Sequence, residues 1–260
     1  MMKRKVVLMV VAVLVLMSIA TGCSTNTPQS GEAVTYVMGL DDTFAPMGFR
    51  NEKGELVGFD VDLATEVANR NGWEIKFQPI DWSMKETELN AGNIDFIWNG
   101  YTITDERKEK VNFTEPYLAN AQIIVTMANS DVNTIADLAG KAVATQAESS
   151  SLDAARAQEG LIESLKDGKL IEYATFNEVF NDLESGRTDA IIVDEVLARY
   201  YMGNKGAESY RVLIENLGPE EFGIGVRKDD TQLLSDLNAT LKAMKEDGTY
   251  DEIYGKWFAK

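Results

Sequence analysis

The sequence predicts two similar α/β lobes joined by a hinge, and three observations carry that prediction. Residues 89–100 and 183–194 write one helix–glycine–strand pattern twice, 94 residues apart, with Leu, Gly, Asp and Ile in the same register. Strand-like and helix-like runs alternate along the rest of the chain, as they do in α/β proteins. Two extended runs, residues 119–127 and 221–227, stand where the chain would leave the first lobe and return to it.

The elements follow in order. Lys3-Arg4-Lys5 and the apolar run 6–17 form an export signal rather than a membrane span, which needs about 20 apolar residues. Polar residues 25–31 read as a flexible tether. The chain from Cys23 onward has about 238 residues, enough for one large or two small domains. Strands at 34–40 and 74–80 flank a helix at 61–70, whose Val61, Ala64, Val67 and Ala68 share a face. Gly72 ends it, and Asp60 and Asp62 sit near its N-terminus, where the helix dipole favours carboxylates. The first copy of the repeat gives a helix at 85–90, a stop at Gly92 and a buried parallel strand at 94–98. Trp98 reads as packing, and Thr104 caps a helix at 105–110.

A second series follows, with strands at 142–145, 170–173, 190–193 and 211–214 and helices at 151–157, 177–184 and 195–202. Gly186 plays the part of Gly92 in the second copy. Helices at 232–246 and 250–258, separated by Gly248, close the chain. In such sheets ligands bind beyond the strands' carboxyl ends. Here those ends carry Asn99-Gly100 and Asp194-Glu195.

Composition narrows the function. The formal charge is −17, and losing Lys3, Arg4 and Lys5 with the signal takes it to −20. Such a body repels nucleic acid. There is no His, which excludes Ser-His and Cys-His catalysis and the common zinc sites. The single Cys leaves no disulfide. No phosphate-binding loop, dinucleotide fingerprint or nucleophile elbow is present. The expectation is no cofactor, no metal and no nucleic-acid partner. Any enzyme would have to work with carboxylates, lysines or tyrosines.

Several motifs carry a resemblance. Ala20-Thr21-Gly22-Cys23 resembles a bacterial lipobox, which implies removal of residues 1–22 and lipidation of Cys23. The run Gly58-Phe59-Asp60-Val61-Asp62-Leu63-Ala64 resembles the signature of extracellular solute-binding proteins, family 3, the substrate-binding lipoproteins of polar-amino-acid ABC transporters. Asp41-Asp42-Thr43-Phe44-Ala45-Pro46, Asn99-Gly100-Tyr101-Thr102, Phe113-Thr114-Glu115-Pro116-Tyr117 and Thr188-Asp189-Ala190-Ile191 extend it in the expected order. The resemblance implies a two-lobed periplasmic-binding-protein-like clamshell of type II with a two-strand hinge. The repeat and the two extended crossovers divide the chain into lobe 1 at 34–118 plus 222–260 and lobe 2 at 119–221, after a signal at 1–22 and a tether at 23–33, in agreement with the resemblance.

It also implies a site. Arg107 would pair with a ligand carboxylate, a role its planar fork suits; read alone, it belongs to a solvated helix face. Gly100, Thr102 and Ser150 would assist, though Ser150 also reads as a helix N-cap. Asp194 would hold the α-ammonium, or merely cap the next helix. Phe44 and Trp82 match the aromatic walls around the ligand side chain, and each alone reads as core. Asp41 would contact that side chain. Asn99 and Gln146 depart from residues that relatives carry and leave the ligand's identity open.

The resulting expectation is a monomeric binding protein, not an enzyme. Tethered to the outer face of the membrane through Cys23, it captures a polar or cationic free amino acid and passes it to a permease with its ATPase. The alternatives are a cyclohexadienyl-dehydratase-like enzyme, with Glu148 or Asp42 as the acid, and a sensor or adhesin module.

Overall fold

A computed structural model describes residues 33–258. The signal, Cys23 and the tether through residue 32 lie outside the described residues. Among those described, the strands form two five-stranded sheets and one of three strands. The first sheet runs β5 (Glu74–Pro79), β1 (Thr35–Leu40), β6 (Phe96–Ile97), β13 (Gly225–Val226) and β7 (Asn112–Phe113). The second runs β10 (Ile171–Tyr173), β9 (Val143–Gln146), β11 (Ala190–Asp194), β8 (Leu118–Met127) and β12 (Tyr210–Phe222).

The repeated pattern has one structural meaning in both sheets. β6 lies between parallel β1 and antiparallel β13, and β11 lies between parallel β9 and antiparallel β8. Each repeated strand is therefore parallel on one edge only, where the apolar run alone implies a fully parallel setting. Gly92 and Gly186 take the left-handed conformation, φ 79° and 72°, that reverses the chain between helix and strand at no side-chain cost.

The helices are α1 (Phe59–Asn71), α2 (Lys85–Ala91), α3 (Asp105–Lys110), α4 (Ser150–Ala157), α5 (Leu161–Ser164), α6 (Phe176–Glu184), α7 (Glu195–Lys205), α8 (Thr231–Asp247) and α9 (Thr249–Phe258). All four apolar residues assigned to the face of α1 are buried. Asp62 on that helix accepts both Lys256 Nζ at 2.6 Å and Trp257 Nε1 at 2.7 Å, which pins α9 back onto the first lobe. One apolar cluster runs from Met38, Val67 and Phe96 through to Phe180 and Ile191, so the two sheets share packing.

Two features differ from the sequence reading. The strand at 211–214 does not end there: β12 is continuous from Tyr210 to Phe222, with register shifts after Val212 and Asn216, and the run at 221–227 is divided between the end of β12 and β13. Asn216, Gly218 and Pro219 break the strand pattern locally, yet β12 is an edge strand, where such breaks are tolerated. The small sheet of β2 (Thr43–Phe44), β3 (Gly48–Arg50) and β4 (Leu56–Val57) was not foreseen. Strands of two or three residues are too short to show a period.

The chain crosses between the large sheets twice, from β7 into β8 and from β12 into β13. The crossing strands pair antiparallel, Leu118 with Phe222 and Asn120 with Glu220, and form the two-strand hinge.

Candidate functional site

Strand ends deliver most of the site. Asp41 follows β1, Asn99 and Gly100 follow β6, Gln146 ends β9, and Asp194 ends β11. Nine of the ten expected residues line one cavity of ≈10 Å³: these five with Phe44, Trp82, Arg107 and Ser150. That volume is room for about one water. Thr102 is the exception; its hydroxyl turns to Ser150 Oγ and Glu220 Oε1, each at 3.0 Å. Ser149 and Phe176 also line the cavity and were not foreseen.

Arg107 is carried by α3, whose N-terminus is closed by Thr104 Oγ1 accepting the Arg107 N–H at 3.1 Å. The side chain is not on a solvated face: it is 4% exposed, and its guanidinium lies 4.8 Å over the Tyr101 ring. Nη1 donates to the Thr102 carbonyl at 3.1 Å and Nη2 to the Glu148 carbonyl at 3.4 Å. Among the described residues no carboxylate lies within ion-pair distance of it. A buried cation without a counter-anion is costly unless something completes it.

Asp194 is the complementary case. It is 3% exposed and makes no capping bond to α7; it accepts instead from Asn120 Nδ2 at 2.7 Å and Gln122 Nε2 at 2.9 Å. Burial, and then the neighbouring Glu220 carboxylate, hold its carboxyl well above the usual range. Ser149, not Ser150, is the N-cap of α4, so the Ser150 side chain is left for the cleft.

Gly100 cannot be another residue without rearrangement. Its φ is 59°, and a Cβ would stand 2.8 Å from Phe44 Cε1. Its N–H donates to Asp60 Oδ2 at 2.8 Å, and the Tyr117 hydroxyl donates to the same oxygen at 2.8 Å. Asp60 thus does more than complement a helix dipole: it fixes the loop that carries Asn99 and Gly100.

The opposite wall is aromatic. Phe44 lies 5.7 Å from Phe176, and Trp82 stands edge-on to Tyr101 at 5.8 Å. Both expected aromatics are at once core and lining. Asp41 accepts from the Thr43 N–H at 2.9 Å and, across the cleft, from Gln146 Nε2 at 2.9 Å. Burial raises its carboxyl above the ordinary range. Asn99 accepts the Asp41 N–H at 3.0 Å through Oδ1, while its buried Nδ2 has no partner.

Lys85 was missed. It reads as one charge in a run, yet it is 2% exposed and donates to the Trp82 carbonyl at 3.2 Å and the Glu148 carbonyl at 3.0 Å. Burial, then the Arg107 charge, push its ammonium down to about 8. Lys85 and Arg107 thus both clasp Glu148 from across the cleft. Neither carboxylate that the sequence offers as an acid lines the cavity. Asp42 pairs with Arg50 at 2.6 Å, and what Glu148 offers to these cations is its backbone carbonyl.

The model of bacterial extracellular solute-binding proteins, family 3, matches residues 36–260. The arginine-binding extracellular protein ArtP of Bacillus subtilis is 29% identical over 260 residues, 99% of this chain and 98% of its own length. A Streptococcus pneumoniae ABC uptake transporter substrate-binding protein, solved with bound histidine, superposes with a TM-score of 0.85 at 41% identity, covering 87% of this chain and 93% of that one. The ancestral amino-acid-binding protein AncCDT-1, a precursor of cyclohexadienyl dehydratase, superposes at 0.76 with 35% identity, covering 86% and 95%.

Proposed function

The chain belongs to the bacterial extracellular solute-binding proteins, family 3, and from that membership we propose that it captures a free polar amino acid outside the cytoplasm and delivers it to an ABC-transporter permease. One observation carries the reading. A buried guanidinium without an anion and a buried carboxyl without a cation line the same cleft, as a zwitterion's receptor must. They stand on different lobes, Arg107 before the first hinge strand and Asp194 after it, so one amino acid ties both lobes together. Gly100 and Ser150 flank the carboxylate position. Phe44, Trp82 and Phe176 wall the side-chain end, and Asp41, which has no cation partner among the described residues, favours a cationic or amide side chain.

The lobes we assign are 34–118 with 222–260, and 119–221. A space of ≈10 Å³ does not admit an amino acid, so entry requires the lobes to part about β8 and β12. The ligand then favours closure by binding the closed form better.

A thermal-shift screen of the twenty L-amino acids, ornithine and cystine tests the reading. At a hundredfold excess over Kd a ligand adds about 2.7 kcal/mol, or roughly 5–10 °C for a chain of this size. A cationic or other polar amino acid should give that shift; no shift from any of them would sink the proposal. Turnover of the ligand, followed by mass spectrometry, would instead favour a dehydratase, the reading that similarity to AncCDT-1 keeps in view.

We also propose the lipid anchor. Acylation of Cys23 with two or more chains gives stable attachment, at about 0.8 kcal/mol per buried CH₂. Cys23→Ala should move the protein from the membrane pellet to the soluble fraction on cell fractionation. Retention in the pellet as firm as the parent's would refute the anchor and leave the binding reading untouched. Export, attachment to the outer face of the membrane and a monomeric body complete the proposal.

A further inference from the structure

Asp194, which lines the cavity, has a second carboxyl beside it, that of Glu220, just behind the lining. β8 lies between β11 and β12, and it presents Asn120 and Gln122 to a carboxyl from each neighbour. Asn120 Nδ2 is 2.7 Å from Asp194 Oδ1 and 2.6 Å from Glu220 Oε1. Gln122 Nε2 is 2.9 Å and 2.8 Å from the same two oxygens. Two acids from different strands therefore share both amide donors on the hinge. Glu220 also reaches the first lobe, at 3.0 Å from Thr102 Oγ1, and the base of α4, at 3.4 Å from Ser150 Oγ.

No lysine or arginine forms an ion pair with either acid among the described residues. The elements packed around them offer Thr102, Ser150 and the two amides. Arg107 shares the cavity with Asp194 but bonds to backbone carbonyls, and Glu195, next in chain, pairs away with Arg199. A buried carboxyl beside a second carboxylate does not ionise readily and keeps its proton. Burial and the Glu220 charge both act on Asp194 in that direction. The cavity supplies independent signs of a ligand: Arg107 lacks an anion, and the buried Asn99 Nδ2 lacks any acceptor.

We infer that Glu220 is a second receptor carboxylate for the ligand's ammonium, and that the ammonium enters in exchange for a proton held on Asp194. The inference rests on the amino-acid reading above. An amino acid at neutral pH brings three N–H donors and one positive charge. When it docks, the proton leaves Asp194 for the buffer, and Asp194 becomes a carboxylate beside that of Glu220. The site carries one negative charge before; after, two negative charges and the ammonium give the same total. Because Glu220 belongs to the hinge and touches Thr102 across it, the exchange is coupled to closure.

Isothermal titration calorimetry on the whole mature chain tests this. The amino acid giving the largest thermal shift is titrated at pH 7 in phosphate and in Tris, whose ionisation enthalpies differ. The wild type should release close to one proton per ligand bound. Glu220→Gln should lower that release sharply and raise Kd roughly tenfold or more, as expected when one carboxylate of a buried ammonium receptor is neutralised. Binding with no proton release by the wild type would overturn the inference while sparing the amino-acid reading. So would a Glu220→Gln variant that keeps both the wild-type release and affinity. No thermal shift from any amino acid, and so no ligand to titrate, would overturn both.

Discussion

Arg107→Ala keeps the fold and loses the ligand. The guanidinium is buried but makes only two bonds, both to backbone carbonyls, and one stacking contact with Tyr101. Nothing in the core depends on its charge, and Lys85, whose ammonium it depresses, is relieved when it goes. The unfolding midpoint should therefore stay near the parent's. Binding is another matter, because the ligand carboxylate would be buried with no cation to meet it. Truncating one partner of a buried charge pair costs about 2–5 kcal/mol, or roughly 30- to 4,000-fold in Kd. Arg107→Lys should recover only part of this, since a point charge does not replace a planar fork. Calorimetry with the best-binding amino acid checks both variants, with thermal unfolding as the control for folding. An Arg107→Ala protein that binds as tightly as the parent would remove Arg107 from the site and with it the zwitterion reading.

The sequence carried most of this site because its residues stand at strand ends, and strand ends can be read from apolar runs. Asn99, Gly100, Gln146 and Asp194 each follow or close such a run. Arg107 and Trp82 were legible only through the resemblance to a family, since a charged helix and a lone aromatic have bland readings that are usually right. Phe176 had no such aid: it enters the cavity from the start of α6 and looks like any helix-initiating apolar residue. Lys85 and Glu220 were invisible for a different reason. Their roles come from contacts 63 and 118 residues away, to Glu148 and Thr102, and no local pattern encodes them. The same holds for β12, whose continuity is imposed by pairing with β8 across a segment that breaks every strand rule. Local periodicity specified the elements; the hinge and the charge partners came from tertiary pairing.

Asp60 makes the second large prediction, one of stability. It is fully buried and accepts from the Gly100 N–H and the Tyr117 hydroxyl at Oδ2; among the described residues Oδ1 makes no hydrogen bond of good geometry, although the Trp98 side chain also acts on the carboxyl. Burial raises its carboxyl from 3.8 to about 7, against the opposing pull of those bonds. The folded pKa thus lies above the unfolded one, and the folded state holds a proton that the unfolded state releases. The stability that Asp60 contributes is fully present below about pH 4. It is lost as pH rises toward 7 and is constant beyond. Integrated over that window the loss is at most about 4 kcal/mol, at 1.36 kcal/mol per pH unit. Asn is nearly the same shape and cannot ionise, so Asp60→Asn should behave like the parent at pH 4 and become progressively more stable than it up to pH 7. The difference should then level off. Taking the difference between the two proteins at each pH cancels Asp194, Asp41 and every other group they share. Urea unfolding of both at pH 4, 5.5, 7 and 8.5 provides the curve, and a gap that does not change with pH would show that this carboxyl is not perturbed. Glycine is required at position 100, and Asp60 is the acceptor of its N–H, so the acid that costs stability at neutral pH is also the one that fixes the cavity loop of Asn99 and Gly100. The Asn side-chain oxygen can accept only with its amide turned away, toward the unpartnered side. A small loss of ligand affinity should accompany the gain in stability.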